Sequence, residues 1–451
     1  MSPRSRPPTL AQPKPPSLPP VTRHTLANGL EVYLVPRAGL PVVDVRFFVR
    51  GGAAGDDPPH AGRTWMLGQL LDQGTGSRSA MDIADEAELL GASLETRTGW
   101  DSVTVSLHVP SSRLVPALEL VADVALDPTF PDEELERKRS ERLAAILQES
   151  DEPRVLATQA FNRAAYGRHP YALPAQGTRK TIERLSRNAI TAVHDRLFRP
   201  DEACLIMVGD VSEEAALPLI ERLFGFRAAG PDRHVAAPEK VPGRATSVHI
   251  VDRPGAPQSE LRVGRPGPPR DTPDYFRLLV ANTILGGSFT SRLNMRLREE
   301  KAYTYGAGSS FAFRAGGGPF VASTAVATAA TADAVSVMVT EIGRMSGERV
   351  GAEELERAKS YIVLGLPRTF ETTGDIAEHV SEVALFGLGL DYYDRYAAEV
   401  RNVTADDVRA ASEQWLRTDD LTIAIAGDAD RVTGELESLE LGTVVIDVDE
   451  E

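Results

Sequence analysis

Along this chain the spacing of apolar residues switches between two periods, and each switch marks a change of element. Ser102-Val-Thr-Val-Ser-Leu-His-Val109 alternates strictly, which predicts a strand with one wet face. Leu30–Val35 and Val42–Val49 predict two earlier strands around a turn at Ala38-Gly39. Helical spacing follows at about 61–72, 80–90, 112–126 and 131–149. The second of these has its ends written in: Ser79 as N-cap, Asp82 at the third position, apolar Ile83, Ala87 and Leu90, and Gly91 to close. Further on, strands near 247–252 and 258–264 precede helices at 272–285 and 290–299. Strands at 305–313 and 319–327 then lead into a helical block from 330 to 417.

The pattern repeats once. Glu133-Glu-Leu-Glu-Arg137 returns as Glu353-Glu-Leu-Glu-Arg357, 220 positions later. Leu205-Ile-Met-Val-Gly-Asp210 returns as Thr422-Ile-Ala-Ile-Ala-Gly-Asp428, and the helix ends Leu197-Phe-Arg199 and Trp415-Leu-Arg417 precede them, both at 218. Three matches in one order at offsets of 218 to 220 predict two homologous halves. Each half reads as strands, then helices, then a closing strand, an α+β pattern. The expected boundaries are a disordered Pro-rich extension at 1–20, a first domain at 21–227, a linker at 228–245, a second domain at 246–435 and an acidic tail at 436–451. The linker reading rests on the Ala, Pro and Gly content of Arg227–Arg244.

Composition narrows the function. At 451 residues the chain exceeds one core, and 42% hydrophobic with 25% charged residues is the balance of a globular protein. A formal charge of −16 argues against nucleic acid or an anionic membrane as partner, because phosphate binding requires a basic face. The single cysteine, Cys204, lies in an apolar run and reads as core. No apolar stretch is long enough to span a membrane, and Met1–Pro20, with eight prolines, has no apolar signal region. A cytoplasmic location is expected, a periplasmic one if a leader precedes Met1.

Ala61-Gly-Arg-Thr-Trp-Met-Leu-Gly-Gln-Leu-Leu-Asp-Gln-Gly-Thr75 resembles the first helix of the M16 (pitrilysin/insulinase-like) peptidases, which runs from a Gly to a closing Gly-Thr. In that family the helix carries His-x-x-Glu-His, two zinc ligands on one helix face and a general base beside them. Here Trp65 and Gln69 stand at the ligand positions and Gly68 at the base. An indole cannot bind zinc, an amide is a poor ligand, and glycine cannot take a proton. Glu149 falls near the family's third ligand; with both His replaced it reads as a helix-surface acid. The resemblance implies two domains, each an antiparallel sheet covered by helices on one face. They would be arranged as a clamshell around an extended peptide, with no cofactor in this chain.

Leu285-Gly-Gly-Ser-Phe-Thr-Ser-Arg-Leu-Asn-Met-Arg-Leu-Arg-Glu-Glu-Lys-Ala-Tyr-Thr-Tyr-Gly306 is similar to the C-terminal signature of the same family. There an Arg and a Tyr seven residues apart reach the substrate at the zinc, and the matching pair is Arg298 and Tyr305. An Arg fork holds a peptide carbonyl or carboxylate, and a Tyr hydroxyl stabilises an oxyanion. Other candidates are weaker. The eight histidines form no i, i+4 pair; His379 and Glu382 share a helix without a second His, and His60 reads as a loop residue. Ala315-Gly-Gly-Gly-Pro319 reads as a flexible hairpin that also lets a peptide approach closely, not as a phosphate cradle. The resemblance implies a subunit of a heterodimeric zinc peptidase, incomplete by itself. It would supply Arg298 and Tyr305 to a partner that bears His-x-x-Glu-His and zinc, with peptides as substrates. The second reading is a structural or peptide-binding scaffold without hydrolysis.

Overall fold

A computed structural model describes residues 19–226 and 244–447. The readings of a Pro-rich extension and of a linker therefore fall almost wholly outside the described residues.

The first half contains β1 (Thr22–Thr25), β2 (Glu31–Pro36), β3 (Val42–Arg50), β4 (Ser93–Thr98), β5 (Ser102–Pro110) and β6 (Ala203–Gly209). Its helices are α1 (Arg63–Leu70), α2 (Ala80–Leu90), α3 (Leu114–Leu126), α4 (Asp132–Glu149), α5 (Pro153–Tyr166), α6 (Arg179–Ile182), α7 (Arg187–Leu197) and α8 (Glu213–Phe224). The second half contains β7 (Ser247–Asp252), β8 (Gln258–Pro266), β9 (Ala307–Phe311), β10 (Pro319–Ala327), β11 (Thr422–Gly427) and β12 (Thr443–Asp447). Its helices are α9 (Tyr275–Leu285), α10 (Arg292–Asn294), α11 (Thr331–Gly347), α12 (Ala352–Gly365), α13 (Thr373–Phe386), α14 (Tyr392–Asn402), α15 (Ala405–Trp415) and α16 (Ala429–Glu437).

Each half forms a six-stranded sheet, in the orders β1-β2-β6-β3-β5-β4 and β12-β7-β11-β8-β10-β9. Apart from the outermost strands β1 and β12, the two orders superimpose position by position. The α+β, two-halved reading stands, and the sheets are mixed rather than purely antiparallel: β2 runs parallel to β6, and β7 parallel to both β11 and β12. β6 and β11 lie centrally and are buried along their whole length, which matches their largely apolar sequences. The acidic stretch read as a tail contributes the end of α16 and then β12, an edge strand paired with β7.

Helices cover both faces of each sheet, and the second cover comes from the other half. Val32, Leu34, Val45, Phe47, Leu205 and Met207 point into the first half's own core. The intervening Tyr33, Val35, Phe48, Cys204, Ile206 and Val208 instead join a core with Ile376, Ala377 and Val380 of α13. Conversely, Ala157, Ala160 and Phe161 of α5 pack with Val251, Ala424 and Ala426 of the second sheet. Residues 153–166 and 373–386 are the same repeat element, 220 positions apart, so the halves exchange equivalent helices. One-sided helix cover is thereby corrected. The alternation of side chains in the central strands leaves two apolar faces, and each requires burial.

The capping signals of α2 are realised: Ser79 Oγ accepts from the Asp82 N–H, the Asp82 carboxylate accepts from the Ser79 N–H, and Gly91 takes the left-handed conformation at φ 65°. The strand predicted at 305–313 begins only at Ala307, and the helix predicted at 290–299 is α10 continued by a π-helical turn, Met295–Glu300.

Candidate functional site

Two places carry the residues singled out from the sequence, one in each half. α1 begins at Gly62, whose φ of 87° is left-handed and whose missing β-carbon would lie 2.7 Å from Gly177 Cα. Only glycine allows the Pro174–Gly177 loop to approach this helix start. Thr64, Met66, Leu67 and Leu70 face the core, which leaves Trp65 and Gln69 together on the other, half-buried side of the helix. The i, i+4 geometry of a two-ligand helix is therefore intact, and the side chains on it are an indole and an amide. A β-carbon at Gly68 would run into Thr98 Oγ1, which donates to the Thr64 carbonyl at 3.3 Å. The hydroxyl of Thr98 fills the place a carboxylate at 68 would enter.

The space beside Trp65 holds a charge. Arg142 of α4 is 4% exposed, and its guanidinium carbon lies 5.7 Å from the centre of the Trp65 ring. The same guanidinium donates two bonds to the Glu149 carboxylate, at 2.6 and 3.0 Å, while its Nε donates to the Gln176 carbonyl at 3.2 Å. Glu149, read from the sequence as a helix-surface acid, is instead the fork partner of a buried arginine. Trp65, Gly68, Gln69 and Glu149 do not make a zinc donor set, because the one anionic ligand among them is already neutralised. Among the described residues no group of three His, Cys, Asp or Glu side chains is placed to hold a metal ion. Arg142 escaped the sequence reading, although its place two helical turns before Glu149 puts both on one face of α4.

The second place is built by the signature after α9. Gly286 has no room for a β-carbon against the Ser309 backbone, and the Ser309 N–H donates to the Gly286 carbonyl at 3.2 Å. That contact ties the edge strand β9 to the end of α9. Arg292 anchors α10 to α12 through a fork to Glu354, both bonds 2.8 Å, and Leu293 and Leu297 are buried. The helix then widens into its π turn and stops at Ala302, one of three non-glycine residues with positive φ among those described, at 53°. Irregular helix and left-handed backbone within eight residues is the kind of local strain that accompanies functional positions.

Arg298 leaves this turn toward solvent. Its guanidinium stacks 4.6 Å from the Phe289 ring, and the nearest carboxylate, Glu299, stands 3.5 Å from Nε. Tyr305 lies in the loop ahead of β9, not on the strand as expected, and is 98% exposed. Both residues line one open depression of about 640 Å³, together with Tyr303 and Thr304. The structure thus brings Arg298 and Tyr305 to one depression.

The remaining candidates have structural partners. Cys204 is buried with Sγ 3.3 Å from Glu31, and burial pushes its thiol far up, away from nucleophilic use. His60 pairs with Asp57 at 2.9 Å in a short turn. His379 Nδ1 lies 2.6 Å from the Tyr393 hydroxyl, which donates to Glu382. The glycine hairpin is a packed contact between the halves, not a free flap. Arg314 stacks on Trp100 and Tyr171 at 4.3 and 4.4 Å, the Ala315 N–H donates to Asp101, and Tyr166 donates to the Gly317 carbonyl.

Comparison with known proteins agrees with this duplicated architecture. Residues 33–179 match the family described as insulinase (peptidase family M16), and residues 184–362 match the one described as peptidase M16 inactive domain. The chain belongs to the M16 family. Among its relatives is an uncharacterized zinc protease of Mycobacterium leprae, 26% identical over 401 residues that cover 88% of this chain and 89% of the relative. An uncharacterized zinc protease of Streptomyces coelicolor is 24% identical, covering 88% and 87%. The crystal structure of a peptidase M16 inactive domain from Pseudomonas fluorescens superimposes with a TM-score of 0.85 at 26% identity, covering 91% of this M16 chain and 98% of that one. A protease from Helicobacter pylori shares the fold at 19% identity, with a TM-score of 0.83 over 91% of this chain and 100% of that chain. Among the described residues of this M16 chain, no helix is long and apolar enough to cross a membrane.

Proposed function

We propose that this chain is the non-zinc-binding subunit of an M16-type heterodimeric peptidase, with peptide substrates and a separate partner chain that bears His-x-x-Glu-His. The observation that carries the proposal is the contrast between the two sites. The first is closed by its own arginine, while in the second Tyr305 stands 98% exposed beside Arg298. A tyrosine so exposed gains nothing from the fold, and its ring and hydroxyl are free for another molecule.

Zinc in the partner would polarise the scissile carbonyl. This chain's residues do the rest of what is assigned here. The Arg298 fork binds a peptide carbonyl or carboxylate, and the Tyr305 hydroxyl donates to the oxygen on which negative charge develops. The chain also supplies half of the peptide chamber. Peptide hydrolysis after mixing with a partner of intact motif, and none by either chain alone, is the expected result.

The scaffold reading remains the second. It is supported by the ion pair that fills the first site, since a chain with no metal centre of its own is equally suited to binding without cleavage. Hydrolysis unchanged by Arg298→Ala and Tyr305→Phe together, in an intact complex, would select it.

A further inference from the structure

We infer that Arg142 is a resident cation, a guanidinium that takes the place of a metal ion between α1 and α4 and keeps metals out. Three contacts define its seat: the Trp65 ring at 5.7 Å, the two Glu149 oxygens at 2.6 and 3.0 Å, and the Gln176 carbonyl at 3.2 Å. Taken together they suit a flat guanidinium. An indole offers its π face, which attracts a cation but cannot coordinate it. A carboxylate bound through both oxygens to one guanidinium has the parallel two-bond geometry particular to arginine. The Gln176 carbonyl accepts from the Nε–H. Arg142 is 4% exposed, and its charge is balanced by Glu149, whose side chain is 33% exposed.

The replacement is thus coordinated across distant positions: Trp65 supplies a cation-binding face on α1, Arg142 the cation, and Glu149 the anion that pairs with it. It follows that exchanging the α1 side chains alone does not create a metal site. A divalent ion placed there would meet a fixed positive charge a few ångström away and would have to compete for Glu149.

The test compares two variants of the full chain, Trp65→His/Gln69→His and the same pair with Arg142→Ala. The probe is Co²⁺, read by its d–d absorption, with Zn²⁺ competition. The inference expects binding only when Arg142 is also removed, with an affinity difference of about a hundredfold or more, the scale set by one unit charge at close range near a protein surface. Equal binding by both variants overturns it, as does no binding by either when both keep the native circular dichroism and a cooperative melt. Should the variants fail to fold, Arg142→Ala alone serves. Methylguanidinium at millimolar concentration should raise its melting temperature more than the same concentration of NaCl does, and should leave the unaltered chain unchanged. Equal effects of the two salts overturn the assignment of a guanidinium seat.

Discussion

Arg46 of β3 and Arg262 of β8 hold the same position in the two sheets, opposite Ile206 and Ala424, and each donates to the backbone of the other half's helix. Arg46 reaches the Gly374 carbonyl at 3.2 Å and Arg262 the Arg154 carbonyl at 3.3 Å. Those carbonyls are themselves 220 positions apart. The duplication therefore preserved a contact between the halves as well as the plan within each. Arg46 adds an ion pair to Glu378, and Arg262 adds a bond to Thr158 at 3.1 Å.

This exchange predicts that the halves do not separate when the chain between them is cut. With a specific protease site placed between Phe226 and Arg244, the two fragments should elute together under native conditions and part only in denaturant. Phe161→Ala, at a ring 1% exposed in the α5 interface, should cost about 3–5 kcal/mol. Arg262→Ala should cost about 2–3 kcal/mol, because it leaves helix and sheet acceptors unpaired in a buried place. Independent elution of the fragments without denaturant would contradict the exchange.

For the exposed pair the expectation is activity lost without stability lost. Tyr305→Phe removes a hydroxyl with no intramolecular role, so its melting curve should stay within about 0.5 kcal/mol of the parent. In the reconstituted complex, removal of one oxyanion donor should lower turnover about a hundred- to a thousandfold. Arg298→Ala should raise KM as well, since it removes a charge-assisted fork. Both variants are first checked for unchanged association with the partner.

Metal content gives a separate check. The purified chain, dialysed against a weak chelator, should hold far less than one zinc per molecule by elemental analysis, since Trp65, Gly68 and Gln69 offer no adequate donor and Arg142 engages Glu149. One tightly held zinc would reverse the reading of the first half.

His379 predicts a pH dependence. Burial lowers its pKa below the ordinary value of 6.5, and the nearby carboxylates Glu382, Glu378 and Asp375 only partly oppose this. The fold favours the neutral ring, so the unfolded chain takes up its proton at higher pH than the folded one. The stability this confers is complete above 6.5 and is lost as pH falls through the lower, folded value. Melts recorded across that window should show a decline that His379→Gln flattens, while a parallel decline in the variant would assign the effect elsewhere.

Much of this molecule was readable as a string of residues because the signals are local. Ser79, Asp82 and Gly91 mark α2 through bonds made within a few residues, and the alternation of Ser102–Val109 follows from a backbone whose side chains point to opposite sides in turn. That Trp65, Gly68 and Gln69 carry neither imidazole nor carboxylate is a matter of side-chain chemistry and holds in any fold. Irregular geometry was not readable. The start of β9 at Ala307, and so the exposure of Tyr305, depends on a π turn and on a left-handed Ala302, which an alanine adopts only when its surroundings hold it there. Contacts between distant segments were equally hidden. Nothing near Arg142 in the chain says that it lies under Trp65, and nothing near Pro153 says that α5 leaves its own half. Both are decided by which apolar faces and charges remain unburied once the two sheets have formed, and that is a property of the assembled fold.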